Sequence, residues 1–196
     1  VQLANARHCA PNAHYTHYAA LSAAGFYNTA TTFKQKVLTT TDVATSPMQS
    51  LAGKILFTMG CHAGLNVPDR SSVAADPAQG INPALDFPQA MAQQKAAWIA
   101  STGFGLGETD GLAGTELLLD VFAKELVKGE TTVGDALLAS KQTYLGSLNP
   151  ITVYDEKSSI QTTLYGLPMY QVLITGPAPT PQTGSNILTI RDGAST

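Results

Sequence analysis

Lys54-Ile55-Leu56-Phe57-Thr58-Met59-Gly60-Cys61-His62-Ala63-Gly64 is the stretch on which the reading of this chain turns. Its first six residues form a short, mostly apolar run between Gly53 and Gly60, the pattern of a buried strand. The carboxyl end of that strand leads directly into Cys61 and His62. In open α/β sheets, reacting groups and ligands gather beyond the carboxyl ends of the strands, because the loops there vary while the sheet holds them in place. Gly60 and Gly64 permit a tight turn and the close approach of a substrate backbone. Cys61 is therefore a candidate nucleophile, although a cysteine after a strand also serves as a small buried hydrophobe. A free thiol needs a base or a positive field to react at neutral pH.

Histidine is the obvious supplier. The two cysteines, Cys9 and Cys61, and the four histidines, His8, His14, His17 and His62, all fall in the first third of the chain. Two cysteines make at most one internal disulfide, which is no disulfide framework. His62 is adjacent to Cys61 and points away from it, so it suits a pocket wall better than a base. His14 and His17 lie in Asn12-Ala13-His14-Tyr15-Thr16-His17-Tyr18, 47 and 44 residues before Cys61. That is enough chain for a strand-helix-strand crossover presenting both side chains at one sheet edge. Read otherwise, these histidines are surface or turn residues, or an i,i+3 metal pair on a helix. A zinc site needs more ligands than the sequence names.

Downstream, an Ala/Gln-rich helix over Phe87–Gln94 leads into a second buried run, Ala96–Ser101, closed by Gly103. Leu118, Val121, Phe122 and Leu126 recur at helical spacing within Gly111–Lys128. Thr132-Val133-Gly134-Asp135 resembles a capping box opening another helix that ends by Asn149-Pro150. A short helix is expected over Lys157–Leu164 and a third strand over Met169–Ile174. The alternation indicates an α/β sandwich with a mainly parallel sheet. Pro177-Ala178-Pro179-Thr180-Pro181 is a linker signal, which sets a domain boundary near Gly176, a linker over 177–184 and the start of a further β segment over 185–196.

Composition excludes several classes. With 196 residues and an apolar share of 44% the chain supports a full core, while charged residues make up only 13%. That low charge is commoner outside cells, so a secreted or cell-surface protein is expected. The net charge of -3 and scattered Lys and Arg give no footprint for nucleic acid or anionic membrane. No apolar run is long enough for a membrane span. The start at Val1 reads as a cut end. Glycines at 103, 105 and 107 miss the dinucleotide fingerprint, and neither a G-x-S-x-G string nor a P-loop is present.

A His-bearing loop, a crossover, a strand and then Cys-x-x-Gly resemble the caspase-like fold of cysteine peptidases, especially its gingipain-like bacterial branch. The matching stretches are Asn12–Tyr18, Ile55–Gly64, Ala97–Gly107 and Tyr165–Tyr170. The resemblance implies a three-layer α/β/α sandwich over residues 1–176 that lacks its first strands, a second chain being the expected source of them. It also implies a Cys-His dyad of Cys61 with His14, or alternatively His17, acting on a peptide or protein substrate. The oxyanion would be held by the amide of Cys61 and the amide after the histidine, that of Tyr15 if His14 is the dyad member. No cofactor is required, and calcium is compatible with the family.

Two positions depart from the pattern. Tyr15, or Tyr18 after His17, stands where the family carries Gly after its histidine. Leu167 stands between Gly166 and Pro168 where an acidic residue is usual. The substrate pocket is expected from the loop 102–110: Glu108 and Asp110 for a basic side chain, Trp98 or Phe104 for its stem, His62 on the wall and Asp69 as a further carboxylate. Glu108 and Asp110 fit equally well as caps of the following helix. Rival functions are a non-catalytic binding or structural domain of the same fold and a cysteine-dependent acyl transferase.

Overall fold

The computed structural model describes residues 8–21, 37–46, 51–67, 85–129 and 131–171. Asp69, the boundary near Gly176, the linker 177–184 and the segment 185–196 lie outside them. The elements run β1 (His8–Cys9), β2 (His14–Tyr15), β3 (Ala19–Leu21), β4 (Val37–Thr39), α1 (Thr40–Thr45) and β5 (Ile55–Thr58). Then follow α2 (Phe87–Gln93), β6 (Ala97–Ser101), α3 (Gly114–Leu126), α4 (Val133–Gly146), α5 (Val153–Gln161) and β7 (Thr162–Tyr165). The architecture is mixed α/β.

The larger sheet has the order β1-β5-β6-β7. β1, β5 and β6 are mutually parallel, with His8 opposite Ile55 and Ile55 opposite Ala97, whereas β7 runs antiparallel to β6. A smaller sheet, β2-β3-β4, is wholly antiparallel. The expected mainly parallel sheet is thus parallel over three strands, and among the described residues the connection from β1 to β5 carries this small sheet and α1.

Of the strand expected over Met169–Ile174, Val172–Ile174 lie outside the described residues, while Met169 and Tyr170 lie in a turn and Gln171 forms an isolated bridge to Thr132. A strand forms instead over Thr162–Tyr165, overlapping the end of the stretch Lys157–Leu164 expected to be helical. Helix α5 begins earlier than expected, on a capping box of Thr152 and Asp155, and is complete by Gln161. Thr162-Thr163-Leu164-Tyr165 is then β-branched and aromatic, which favours pairing on β6 over another helical turn.

Other helices follow their local signals. Asp86 caps α2 reciprocally with Gln89, with Pro88 in the first turn, and Thr132 caps α4 by accepting from the Asp135 amide. All residues of β5 and β6 are buried, and their side chains alternate between two clusters. Ile55, Phe57, Ala97 and Ile99 pack with Leu118, Phe122 and Leu126 of α3 and with residues of α4. Leu56, Trp98 and Ala100 pack instead with Phe87, Ala90 and Met91 of α2 and with Val43 of α1.

The Phe57 and Phe122 rings meet edge to face at 5.3 Å, and Phe122 has no exposed surface. Phe122→Ala is expected to cost about 3–5 kcal/mol in urea denaturation. Ile160→Ala, at a residue 77% exposed, should stay within about 0.5 kcal/mol.

Helices α4 and α5 are tied by the Tyr144 hydroxyl, which donates to the Asp155 carboxylate at 2.6 Å. Hydrogen bonds from Thr152 and then from Tyr144 hold the Asp155 carboxyl below its ordinary pKa. Burial, followed by the bond to Asp155, pushes the Tyr144 phenol up. A depressed carboxyl stabilises the fold above the ordinary Asp pKa of about 3.9, and that contribution is lost as pH falls through its lowered value. Asp155→Asn should therefore melt at a lower temperature than the parent at neutral pH, with the gap closing in strong acid.

Candidate functional site

Cys61 lies three residues beyond the last position of β5, in a turn held from several directions. The Trp98 indole, fully buried on β6, donates to the Ala63 carbonyl at 2.8 Å. Tyr165 of β7 donates its hydroxyl to the next carbonyl, that of Gly64. Burial, and then the nearby Asp86 carboxylate, push the Tyr165 phenol up. Asp86 is itself fully buried and accepts from the Asn66 side chain at 3.1 Å and the Val67 amide at 2.8 Å, which ties the outgoing chain to the start of α2.

The peptide donors of the turn are almost all engaged. Gly60 N–H donates to Thr58 Oγ1, His62 N–H to Gly103 O at 2.6 Å, Ala63 N–H to Gly60 O, Gly64 N–H to Ser101 O at 2.8 Å and Leu65 N–H to His62 O. Between Gly60 and Leu65, the N–H of Cys61 is the one with no acceptor among the described residues. His62 is held at φ +58°, a left-handed conformation that costs a non-glycine residue roughly 1–2 kcal/mol. The surrounding hydrogen bonds impose this geometry.

The histidine segment meets the turn through Tyr15. Its ring packs on Gly60 so closely that a Cβ there would sit 2.1 Å from the ring, so only glycine fits. The same ring lies edge to face with Phe87 at 5.2 Å, and its hydroxyl donates to Pro11 O at 2.9 Å. The Thr16 amide donates to Ala19 O at 2.8 Å, closing a hairpin over His17-Tyr18. In this ladder His14 stands opposite Leu21 and Tyr15 opposite Ala20. His14 is exposed, on the ribbon face opposite the buried Tyr15. His17 sits at the hairpin tip against the Tyr18 ring at 4.9 Å, and its Nε2 is buried with no partner among the described residues.

The expected substrate-pocket residues scatter. Trp98 has no exposed surface and spends its N–H on Ala63, so it supports the turn and does not line a pocket. Phe104 is 65% exposed and packs edge to face on the His62 ring at 4.8 Å, while His62 Nδ1 is buried without a partner among the described residues. Glu108 and Asp110 are exposed, and neither caps α3, whose N-cap Ala113 has no side-chain bond. Glu108 borders a groove of about 470 Å³ shared with Tyr154 and Asp155. A second groove of about 270 Å³ opens beside Met59 and Asn12 and carries Glu116 and Asp120 on its helical wall. Cys61 lines neither of these two grooves. Among the described residues, no group of three or more His, Cys, Asp or Glu could hold a metal ion. Nor is any described helix long and apolar enough to cross a membrane.

Sequence reading missed Tyr165 and Asp86. The Asp86-Phe87-Pro88 string carries a readable helix-start signal, but nothing local marks Tyr165, which acts across 101 positions of chain. Comparison of this chain with protein-family models, with curated proteins and with solved structures finds no match.

Tyr165→Phe removes the donor to the buried Gly64 carbonyl without changing the ring. It should cost about 1–3 kcal/mol in chemical denaturation. Unchanged stability would show that water replaces the hydroxyl and that the tie is dispensable.

Proposed function

We propose that this chain is a cysteine endopeptidase domain of the caspase-like, gingipain-like kind, with Cys61 as nucleophile and His14 as its histidine partner, His17 being the alternative. The observation that carries the reading is the Cys61 amide: of the donors between Gly60 and Leu65, it is the one with no acceptor among the described residues, and it belongs to the residue bearing the thiol. The topology agrees with it, because the segment bearing His14 follows β1 and Cys61 follows β5, and these strands are parallel neighbours. In the same reading, the helices packed over the two core clusters are the outer layers of a three-layer sandwich.

The Cys61 sulfur attacks the peptide carbonyl carbon, and the charge developing on oxygen is met by the N–H groups of Cys61 and Tyr15. The histidine takes the thiol proton of Cys61 and delivers it to the leaving amine as the C–N bond breaks, and a thioester remains on Cys61. Water then attacks the thioester and restores the thiol. A basic residue before the scissile bond is the preferred substrate in this reading, with Glu108 and Asp110 as counter-charges and the exposed Phe104 ring for the aliphatic stem.

Fluorogenic peptides with Arg, Lys or Asp before the cleaved bond test the proposal. Cys61→Ala should lower kcat/KM by at least about a thousandfold, consistent with loss of a covalent nucleophile. His14→Ala should approach that loss while His17→Ala retains most activity. Absence of cleavage of every peptide by the folded parent chain would leave a binding module instead, and release of amide products only when an amine is added would make it an acyl transferase.

A further inference from the structure

The loop after β6 crosses the turn after β5 and touches the sulfur. Two of its carbonyls, two residues apart, are directed at consecutive residues of that turn. Gly103 O accepts from the His62 amide at 2.6 Å, and Gly105 O is the polar contact of Cys61 Sγ, at 3.8 Å. Between them the Phe104 ring lies on the His62 ring, with 65% of the residue exposed to solvent. The loop is fastened at both ends. On one side the Thr102 amide donates to Gln161 O at 3.0 Å. On the other the Leu106 amide donates to the buried Thr115 hydroxyl at 3.2 Å, and Leu106 O accepts from Glu116 at 3.3 Å.

Backbone presses on backbone in the middle of this loop. A Cβ at Gly105 would lie 1.6 Å from the Met59 carbonyl oxygen, so a side chain cannot be added without lifting the segment. The closed position therefore depends on glycine at 105.

We propose that Gly103–Gly107 is an autoinhibitory strap. Closed, it shields the Cys61 sulfur and allows only small reagents past. It opens by sliding the Phe104 ring off His62 and drawing the Gly105 carbonyl away, which admits a bulky electrophile such as a peptide segment. As regulation of a nucleophile this rests on the reading of Cys61 given above, but the shielding itself follows from the packing.

Alkylation tests it, with the modified residue located by peptide mass mapping so that Cys9 is scored separately. In the parent chain, the Cys61 rate relative to a free thiol should be at least tenfold lower for a fluorescein-linked maleimide than for iodoacetamide. Phe104→Ala, at an exposed ring whose loss leaves the core untouched, should raise the maleimide rate about three- to tenfold, the factor carried by one aromatic pair. Gly105→Ala should raise it further. No discrimination by size in the parent overturns the proposal, as does a parental maleimide rate in folded Phe104→Ala. If Gly105→Ala does not fold, those two measurements still decide. Alkylation needs neither a histidine nor a peptide bond, so absence of peptide cleavage bears on the peptidase reading alone.

Discussion

One hydrogen bond, from the buried Trp98 indole to the Ala63 carbonyl, fastens the turn that carries Cys61 to the middle of the sheet. The indole N–H is a donor with no second use, and the ring lies in the cluster formed with Phe87 and Met91. Once Ala63 is fixed, Gly64 falls under the Tyr165 hydroxyl and against Ser101, and the peptide donors on either side of Cys61 are taken up in turn. The half-buried thiol turn is thus built outward from a side chain with no surface of its own. A buried unpaired donor or acceptor costs on the order of 1–3 kcal/mol, so each bond in this set holds its neighbours in register.

The second constraint is steric. Tyr15 and Gly60 are complementary: the ring fills the space that a missing Cβ leaves. Seen in the sequence alone, a tyrosine after His14 is a departure that crowds the site. In the folded chain its bulk is directed inward, onto Gly60 and Phe87, and the backbone at that point is ordinary strand. Crowding of the sulfur comes instead from Gly105, at the residue with the smallest side chain, because there it is the main chain that approaches.

Acidic residues show the limits of reading charge from sequence. Asp86, within an unremarkable Leu85-Asp86-Phe87-Pro88, is fully buried and joins the loop after Cys61 to α2. Glu108 and Asp110, prominent in a glycine-rich loop, stand in solvent. Burial decides which carboxylate organises the fold, and burial depends on what packs above it.

The sequence by itself determined the two central strands, the helices α2, α3 and α4 with their approximate bounds, and the location of a cysteine at a strand end. These follow from local rules: continuous apolar runs, 3.6-residue periodicity and side-chain caps. Only the tertiary structure decided that the strand after α5 is Thr162–Tyr165 and runs antiparallel, because a short β-branched stretch becomes a strand only when an edge is present to pair with it. It also decided that Trp98 supports the turn, that Tyr165 reaches Gly64 from 101 residues away, and that the Cys61 amide has no acceptor among the described residues. Each of these depends on which groups from distant segments arrive at the same place, and that is set by packing.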